Sequence, residues 1–157
     1  MEDEQHVSPK EQDLLLSDVR EQDLKQSIAH ELGIPFMSEA SGEALLPIEG
    51  ILFGHNFRPF VCLHVRRKTV NRNVFFLIDT GSSHTYLSKT TVEALSIKDS
   101  IPEGFIATIH GENMYVNLSP SSSHYTDINI IGSDFLSRKK IFLEVDYENL
   151  VVRIRKL

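Results

Sequence analysis

The sequence predicts an all-β domain with a helical extension at its N-terminus. Beyond Pro47, short apolar runs rich in β-branched and aromatic residues alternate with turn residues, a pattern typical of strands joined by hairpins. The chain before Pro47 contains instead a helix start at Ser8-Pro9 and helix stops at Gly33 and Pro35. No internal repeat divides the chain, so its 157 residues fit one compact domain with an appendage.

The extension is predicted to span residues 9–34, after a polar, disordered stretch at 1–8 and before a linker at 35–47. At 3.6 residues per turn, its apolar side chains fall on two different sides rather than in one stripe. Two short helices fit this pattern, and Asp18 with Glu21 would form the capping box of the second. Such a pair could pack on the following domain, pair with a second copy or bind a partner, and packing is the simplest of these.

The domain itself is predicted to span residues 48–157. A polar hairpin tip is expected at 66–73, and a short helix is expected after Ser88 or Thr90, either of which could cap it. The predicted strands are 48–53, 57–65, 74–78, 85–87, 105–109, 114–118, 128–131, 141–145 and 150–154.

Residues 74–83, which read VFFLIDTGSS, are the stretch around which the domain is organised. Five apolar residues predict a buried strand that runs directly into Asp79, and Gly81 permits a tight turn just after it. A carboxylate at the end of a buried strand is costly unless it is hydrogen-bonded or functional. An aspartate that initiates a turn and caps its own loop is the simplest structural interpretation.

A second stretch, residues 128–136, reads INIIGSDFL and is another apolar strand that ends at a glycine. Together the two stretches resemble the active-site halves of the retropepsin-like aspartic proteases, and the resemblance covers residues 47–157. It implies a retropepsin-like acid-protease half-barrel with an N-terminal helical extension. It also implies that Ile130, Ile131 and Gly132 pack behind the loop that carries Asp79.

The resemblance assigns a role to each residue of the first motif. Asp79 would be the catalytic carboxylate, and Thr80 would brace the two loops that meet at a dimer axis. Gly81 would give the loop its turn and let the backbone approach substrate. Ser82 would hydrogen-bond the carboxylate and keep it ionisable.

Peptide hydrolysis of this type needs two carboxylates that share one proton, because like charges at that distance cannot both ionise. The chain contains only one Asp-Thr-Gly, and Asp134 follows its glycine rather than preceding one. The resemblance therefore implies a homodimer in which each copy contributes Asp79 at the two-fold axis. No cofactor is required, and the substrate would be a peptide or protein.

The family also places a glycine-rich flap between the two motifs. The one good hairpin turn there is His110-Gly111-Glu112, which could be a short flap or a structural hairpin of the core. In the second case the chain would lack a flap, and a catalytically inactive module that dimerises and binds another protein becomes the alternative function. A piece of a retroelement polyprotein would share the same fold.

Composition excludes several other classes of protein. A net charge of −6 argues against nucleic acid as a partner, and the basic run Arg66-Arg67-Lys68 is interpreted as a solvated turn. No apolar run is long enough to cross a membrane, and the acidic start is unlike a signal peptide. With a single cysteine, Cys62, the sequence favours a reducing compartment, the cytoplasm, although the nucleus is not excluded.

A metal site is not expected. His55, Cys62 and His64 lie near one another in sequence, but zinc needs about four ligands, and no second cysteine or nearby carboxylate completes the set. His84, just past the Asp79 loop, could line a substrate pocket, although an exposed loop histidine is the simpler interpretation.

Overall fold

The structure, a computed structural model, describes residues 18–97, 103–119 and 127–157. A helical segment comes first: α1 comprises Glu21–Asp23, a stretch of π-helix at Leu24–Ile28, and Ala29–Leu32. Two short helices follow later, α2 at Lys89–Ala94 and α3 at Ser133–Arg138. The strands are β1 Ile48–Phe53, β2 Arg58–Arg67, β3 Val70–Ile78, β4 Tyr86–Leu87, β5 Gly104–Ile109, β6 Glu112–Leu118, β7 Asn129–Ile131, β8 Phe142–Asp146 and β9 Val151–Arg155.

Six of the strands close into a barrel, so the prediction of an all-β domain is confirmed. The order around the barrel is β3-β7-β4-β6-β5-β2, and β2 then pairs with β3 to complete the ring. The ring can close because β2 is ten residues long, so it pairs with β3 along most of its length and with β5 near its C-terminal end. β1, β9 and β8 continue the sheet outward from β2, which leaves β8 at its edge.

The β2–β3 hairpin is longer than the sequence indicated. Residues 66–73 were expected to be a polar tip, but Arg66 pairs with Asn71 and Arg67 pairs with Val70. The turn is reduced to residues 68–69, with Lys68 in the left-handed region at φ 56°. The polar side chains were a poor guide because a strand can keep one face in water while its backbone stays paired.

β3 is buried on both faces, which explains its unbroken apolar run. Val74, Phe76 and Ile78 point into the barrel core, whereas Phe75 and Leu77 point outward and pack beneath α1. A strand with a solvated face would alternate apolar and polar residues. Leu24 and Ile28 of α1 cover β3, together with Val19 just before the helix, and all three are buried.

The predicted packing of the extension on the domain is present in its described part, but the predicted capping box is wrong. Asp23, not Glu21, accepts a hydrogen bond at the helix start, from the Arg20 N–H at 2.8 Å. Asp18 instead accepts from Asn56 Nδ2 at 2.7 Å and pairs with Arg58 at 3.2 Å, which ties the start of α1 to β2. The predicted stretch 1–8 and the first of the two helices lie outside the described residues.

The segment predicted to be a linker, 35–47, is partly attached to the barrel. Asn73 N–H donates to the Ser38 carbonyl at 2.8 Å, and Ala40 N–H donates to the Asn71 carbonyl at 3.0 Å. These bonds, with the antiparallel bridge between Glu39 and Arg72, add part of the segment edge-on to the start of β3. Within the described ranges, no helix is long and apolar enough to span a bilayer.

Candidate active site

Asp79 lies at the end of β3, where the neighbouring strand holds its backbone. β3 and β7 run parallel, with Ile78 opposite Ile131, and the Asp79 N–H donates to the Ile131 carbonyl at 3.0 Å. The side chain of Ile131 is buried in the barrel core, and that of Ile130 is buried on the opposite face, beneath α1. The pairing of β3 with β7 therefore fixes the position of the Asp79 backbone at the end of β3.

The loop after Asp79 is a tight turn that hydrogen-bonds its own carboxylate. The Gly81 N–H donates to Asp79 Oδ1 at 3.0 Å, and the Ser82 N–H donates to the Asp79 carbonyl at 3.1 Å. Asp79 is half-buried, while Thr80 and Gly81 are exposed. The carboxylate thus sits at a surface that a substrate or a second copy of the chain can reach.

The expected hydrogen bond from Ser82 to the carboxylate is wrong. Ser82 Oγ donates instead to the His84 carbonyl at 2.7 Å, which tightens the second half of the loop. A backbone N–H, from Gly81, takes the role at Asp79 that the sequence assigned to the hydroxyl.

Gly132 is the point at which the second motif contacts the Asp79 loop. A Cβ on this residue would collide with the His84 carbonyl and would lie 2.7 Å from the Ser82 carbonyl oxygen. The next residue, Ser133, donates its N–H to that same Ser82 carbonyl at 2.7 Å. The absence of a side chain at Gly132 therefore lets α3 begin directly against the loop.

A hydrogen-bonded pair that sequence reasoning missed, Thr85 and Asp134, holds the exit of the loop. Asp134 accepts from the Thr85 N–H at 3.1 Å and from Thr85 Oγ1 at 2.7 Å, and Thr85 Oγ1 accepts from the Gly132 N–H at 3.1 Å. Asp134 also accepts the Phe135 N–H. The available signal was an aspartate in the first turn of a helix that has no capping side chain at Gly132.

Asn129 is a second missed residue, buried in the middle of an apolar run. Its Oδ1 accepts from the Ser88 N–H at 2.9 Å, and its Nδ2 donates to the Phe75 carbonyl at 3.1 Å. It therefore joins β7 to β3 and to the start of α2, whose N-cap is Ser88. An amide flanked by Ile128 and Ile130 could have been recognised as structural, because a buried amide must find partners.

The turn proposed as a possible flap, residues His110, Gly111 and Glu112, lies at the other end of the barrel, so that interpretation is wrong for this turn. The end of β5 pairs with Val65, whereas Asp79 follows the part of β3 that pairs with Phe60. Five strand residues separate Phe60 from Val65, a distance of about 17 Å along β2. The alternative, a structural hairpin of the core, is the observed arrangement.

His110 anchors this turn inside the protein. It is 4% exposed, its Nε2 lies 2.8 Å from the Leu45 carbonyl, and its Nδ1 lies 3.4 Å from the backbone nitrogen of His64. The hydrogen-bond pattern places the proton on Nε2 and leaves Nδ1 as an acceptor for the His64 N–H. Burial lowers the pKa of His110, and the nearby His64 and Lys139 lower it further, against the opposing effect of the Leu45 carbonyl.

The His110 environment predicts a loss of stability at acidic pH. A histidine with a lowered folded-state pKa takes up its proton first in the unfolded chain, so stability is full above the unfolded value and falls as the pH drops toward the folded one. One such group contributes a slope of at most about 1.4 kcal/mol per pH unit. We expect His110→Asn, which tolerates the left-handed φ of 45°, to show a shallower decline in urea-unfolding free energy between pH 7 and pH 5. Parallel declines in the two proteins would contradict this assignment.

Within the described residues Asp79 faces no second carboxylate, because Asp134, the other carboxylate beside the loop, is bonded to Thr85 and to the Phe135 N–H. No group of three or more histidine, cysteine, aspartate or glutamate side chains within those ranges could hold a metal ion. Burial raises the pKa of the Cys62 thiol to about 12, so Cys62 is not a nucleophile near neutral pH. His84 is exposed beside the loop. The carboxylate of Asp79 alone can accept a hydrogen bond from a water or another donor, but it can share a proton only with a second carboxylate.

Comparison with known proteins supports the same architecture. No protein-family model matches the sequence, and no curated protein matches it. Among solved structures, a retropepsin-like aspartic protease from Rickettsia conorii superposes with a TM-score of 0.50 and 18% identity, covering 75% of this chain and 96% of that one. The retroviral protease-like domain of Ddi1 from Leishmania major superposes with a TM-score of 0.35 and 16% identity, over 62% of this chain and 93% of that one. The chain therefore has a retropepsin-like fold.

Proposed function

We propose that the protein is a homodimeric aspartic endopeptidase, in which one Asp79 from each chain forms the catalytic pair. The observation that carries the proposal is the way Asp79-Thr80-Gly81 is held. Its entry is bonded to Ile131, and its exit is packed against Gly132. Support from both sides holds the Asp79 carboxylate in a fixed position, as a catalytic group requires.

The proposed chemistry follows from two carboxylates placed at a two-fold axis. One would remain protonated and polarise the peptide carbonyl, while the other would take a proton from a water that attacks the carbonyl carbon. The tetrahedral intermediate would then collapse as a proton passes to the leaving amine. The Gly81 N–H, already bonded to Asp79 Oδ1, would hold each carboxylate in a fixed orientation.

A second candidate function is an inactive module that dimerises and binds another protein. It is favoured by the position of the β5–β6 turn, which lies at the end of the barrel remote from Asp79 and therefore does not cover it. A flap excludes water and grips the substrate backbone, so its absence would lower both binding and rate.

The proposal predicts that activity depends on assembly. We expect sedimentation equilibrium to give a dimer and cleavage of a peptide library to be strongest at acidic pH. Below the dimer dissociation constant, the rate should rise with the square of the protein concentration. A monomer whose specific activity is constant on dilution would contradict the dimeric site, and an intact dimer that cleaves nothing would favour the binding module.

A further inference from the structure

The end of the barrel remote from Asp79 carries two cavities that share one chain segment. The segment 42–47 contributes residues 42–45 to a cavity of about 390 Å³ and residues 44–47 to a cavity of about 420 Å³. Ala44 and Leu45 line both. The Leu45 side chain is 64% exposed, although its carbonyl is bonded to His110. Leu45 is thus an exposed apolar residue that borders both cavities.

These cavities are distinct from the candidate active site. Arg66 lines the first of them and pairs with Asn71, whereas Asp79 follows the part of β3 that pairs with Phe60. Six strand residues along β2 separate Arg66 from Phe60, or about 20 Å.

The lining of the two cavities is positively charged, although the whole chain carries a net charge of −6. Arg66 lines the first cavity, while Lys139 and Lys156 line the second. Within the part of the chain that the structure describes, none of these three forms an ion pair. Arg155, also in the second cavity, is paired with Glu144 at 2.6 Å, and the acidic residue among the lining side chains is Glu43.

We propose that this surface binds an acidic peptide segment of a partner protein, with an apolar residue of the peptide against Leu45 and carboxylates on either side. Charge complementarity favours an anionic ligand, since unpaired cations on an acidic protein attract carboxylates and reject basic segments. Cations line both cavities that Leu45 borders, so a ligand that carries several carboxylates can pair with more than one of them. A nucleic acid would meet a short basic surface on a protein of opposite net charge, which is a poor match for a phosphate backbone.

The test uses fluorescence anisotropy with the whole protein and a labelled peptide of sequence Glu-Glu-Leu-Glu-Glu. We expect binding that weakens as salt is added and that falls at least about tenfold in the double variant Arg66→Gln/Lys139→Gln. The matched control is Lys25→Gln/Lys89→Gln, which makes the same change in net charge on α1 and α2. It should bind as the wild type does.

Two further peptides complete the experiment. Replacing the four glutamates with glutamine should abolish binding, and replacing the leucine with serine should weaken it several-fold. Equal binding by both double variants, equal binding of the glutamine peptide, or no binding by the wild type would overturn the proposal. Because the substituted cations Arg66 and Lys139 line cavities remote from Asp79, the difference between the two double variants does not depend on whether the protein cleaves peptides.

Discussion

Gly132→Ala is expected to destabilise the protein by about 3 kcal/mol and to abolish any function that depends on the Asp79 loop. The reason is space, not backbone conformation, because the φ of −97° at Gly132 suits any residue. The new Cβ would meet the backbone carbonyls of Ser82 and His84, which cannot rotate away as a side chain could. Relief would require the loop and α3 to separate, which would break the bond between Ser133 N–H and the Ser82 carbonyl.

Gly104→Ala is the matched control for this substitution. A Cβ at Gly104 would also collide, but with the ring of Tyr115, and that side chain is 52% exposed and free to swing into solvent. We expect the urea-unfolding midpoint of Gly104→Ala to stay close to that of the wild type. The midpoint of Gly132→Ala should be lower, with an unchanged dependence of the unfolding free energy on urea concentration. Equal midpoints for the two variants would show that α3 does not pack against the Asp79 loop as described.

Most of the strands could be predicted because apolar runs and turn residues within each short segment indicate a strand and its ends. The predicted bounds of β1 equal the observed Ile48–Phe53, and the hairpin turn at His110-Gly111 was placed correctly in the sequence. That turn has φ values of 45° and 85° at its two central residues, as expected where glycine follows a residue that tolerates the left-handed region. Ser88 was one of two proposed caps for α2, and its side chain does accept the Thr91 N–H.

The sequence could not predict at which end of the barrel each hairpin turn lies. The same His110 turn would be a flap at one end of the barrel and a core hairpin at the other, and the choice depends on β5 pairing with β2, more than forty residues earlier. The bonds between Thr85 and Asp134 likewise join residues 49 positions apart. Local periodicity and short motifs do not predict contacts between residues so far apart in the sequence.

The same limit explains the error at Ser82. The motif identified which residues surround Asp79 but not which of their atoms face it. The Ser82 hydroxyl donates to the carbonyl of His84, two residues further along the loop, and the Gly81 N–H donates to the carboxylate.

Asp79→Asn is expected to lower peptide cleavage at least about 10³-fold while leaving the fold and the dimer intact. The asparagine side chain has nearly the same shape, and its oxygen can still accept the Gly81 N–H that now bonds Asp79 at 3.0 Å. In the proposed homodimer the substitution removes both of two mutually repelling carboxylates, which should not weaken the assembly. The matched control is Asp127→Asn, which makes the same chemical change at an exposed position before β7 and should retain full activity.

Mixed dimers make this prediction specific to a shared site. If each site needs Asp79 from both chains, a fully exchanged equal mixture of wild type and Asp79→Asn should contain about a quarter of its dimers in the active form. Activity per wild-type chain would then fall to about half of its value without the variant. A site complete within one chain would show no such loss, and cleavage that persists in pure Asp79→Asn would come from another source. If neither protein cleaves any peptide although both dimerise, the fold serves binding, and the same substitution should leave partner affinity unchanged.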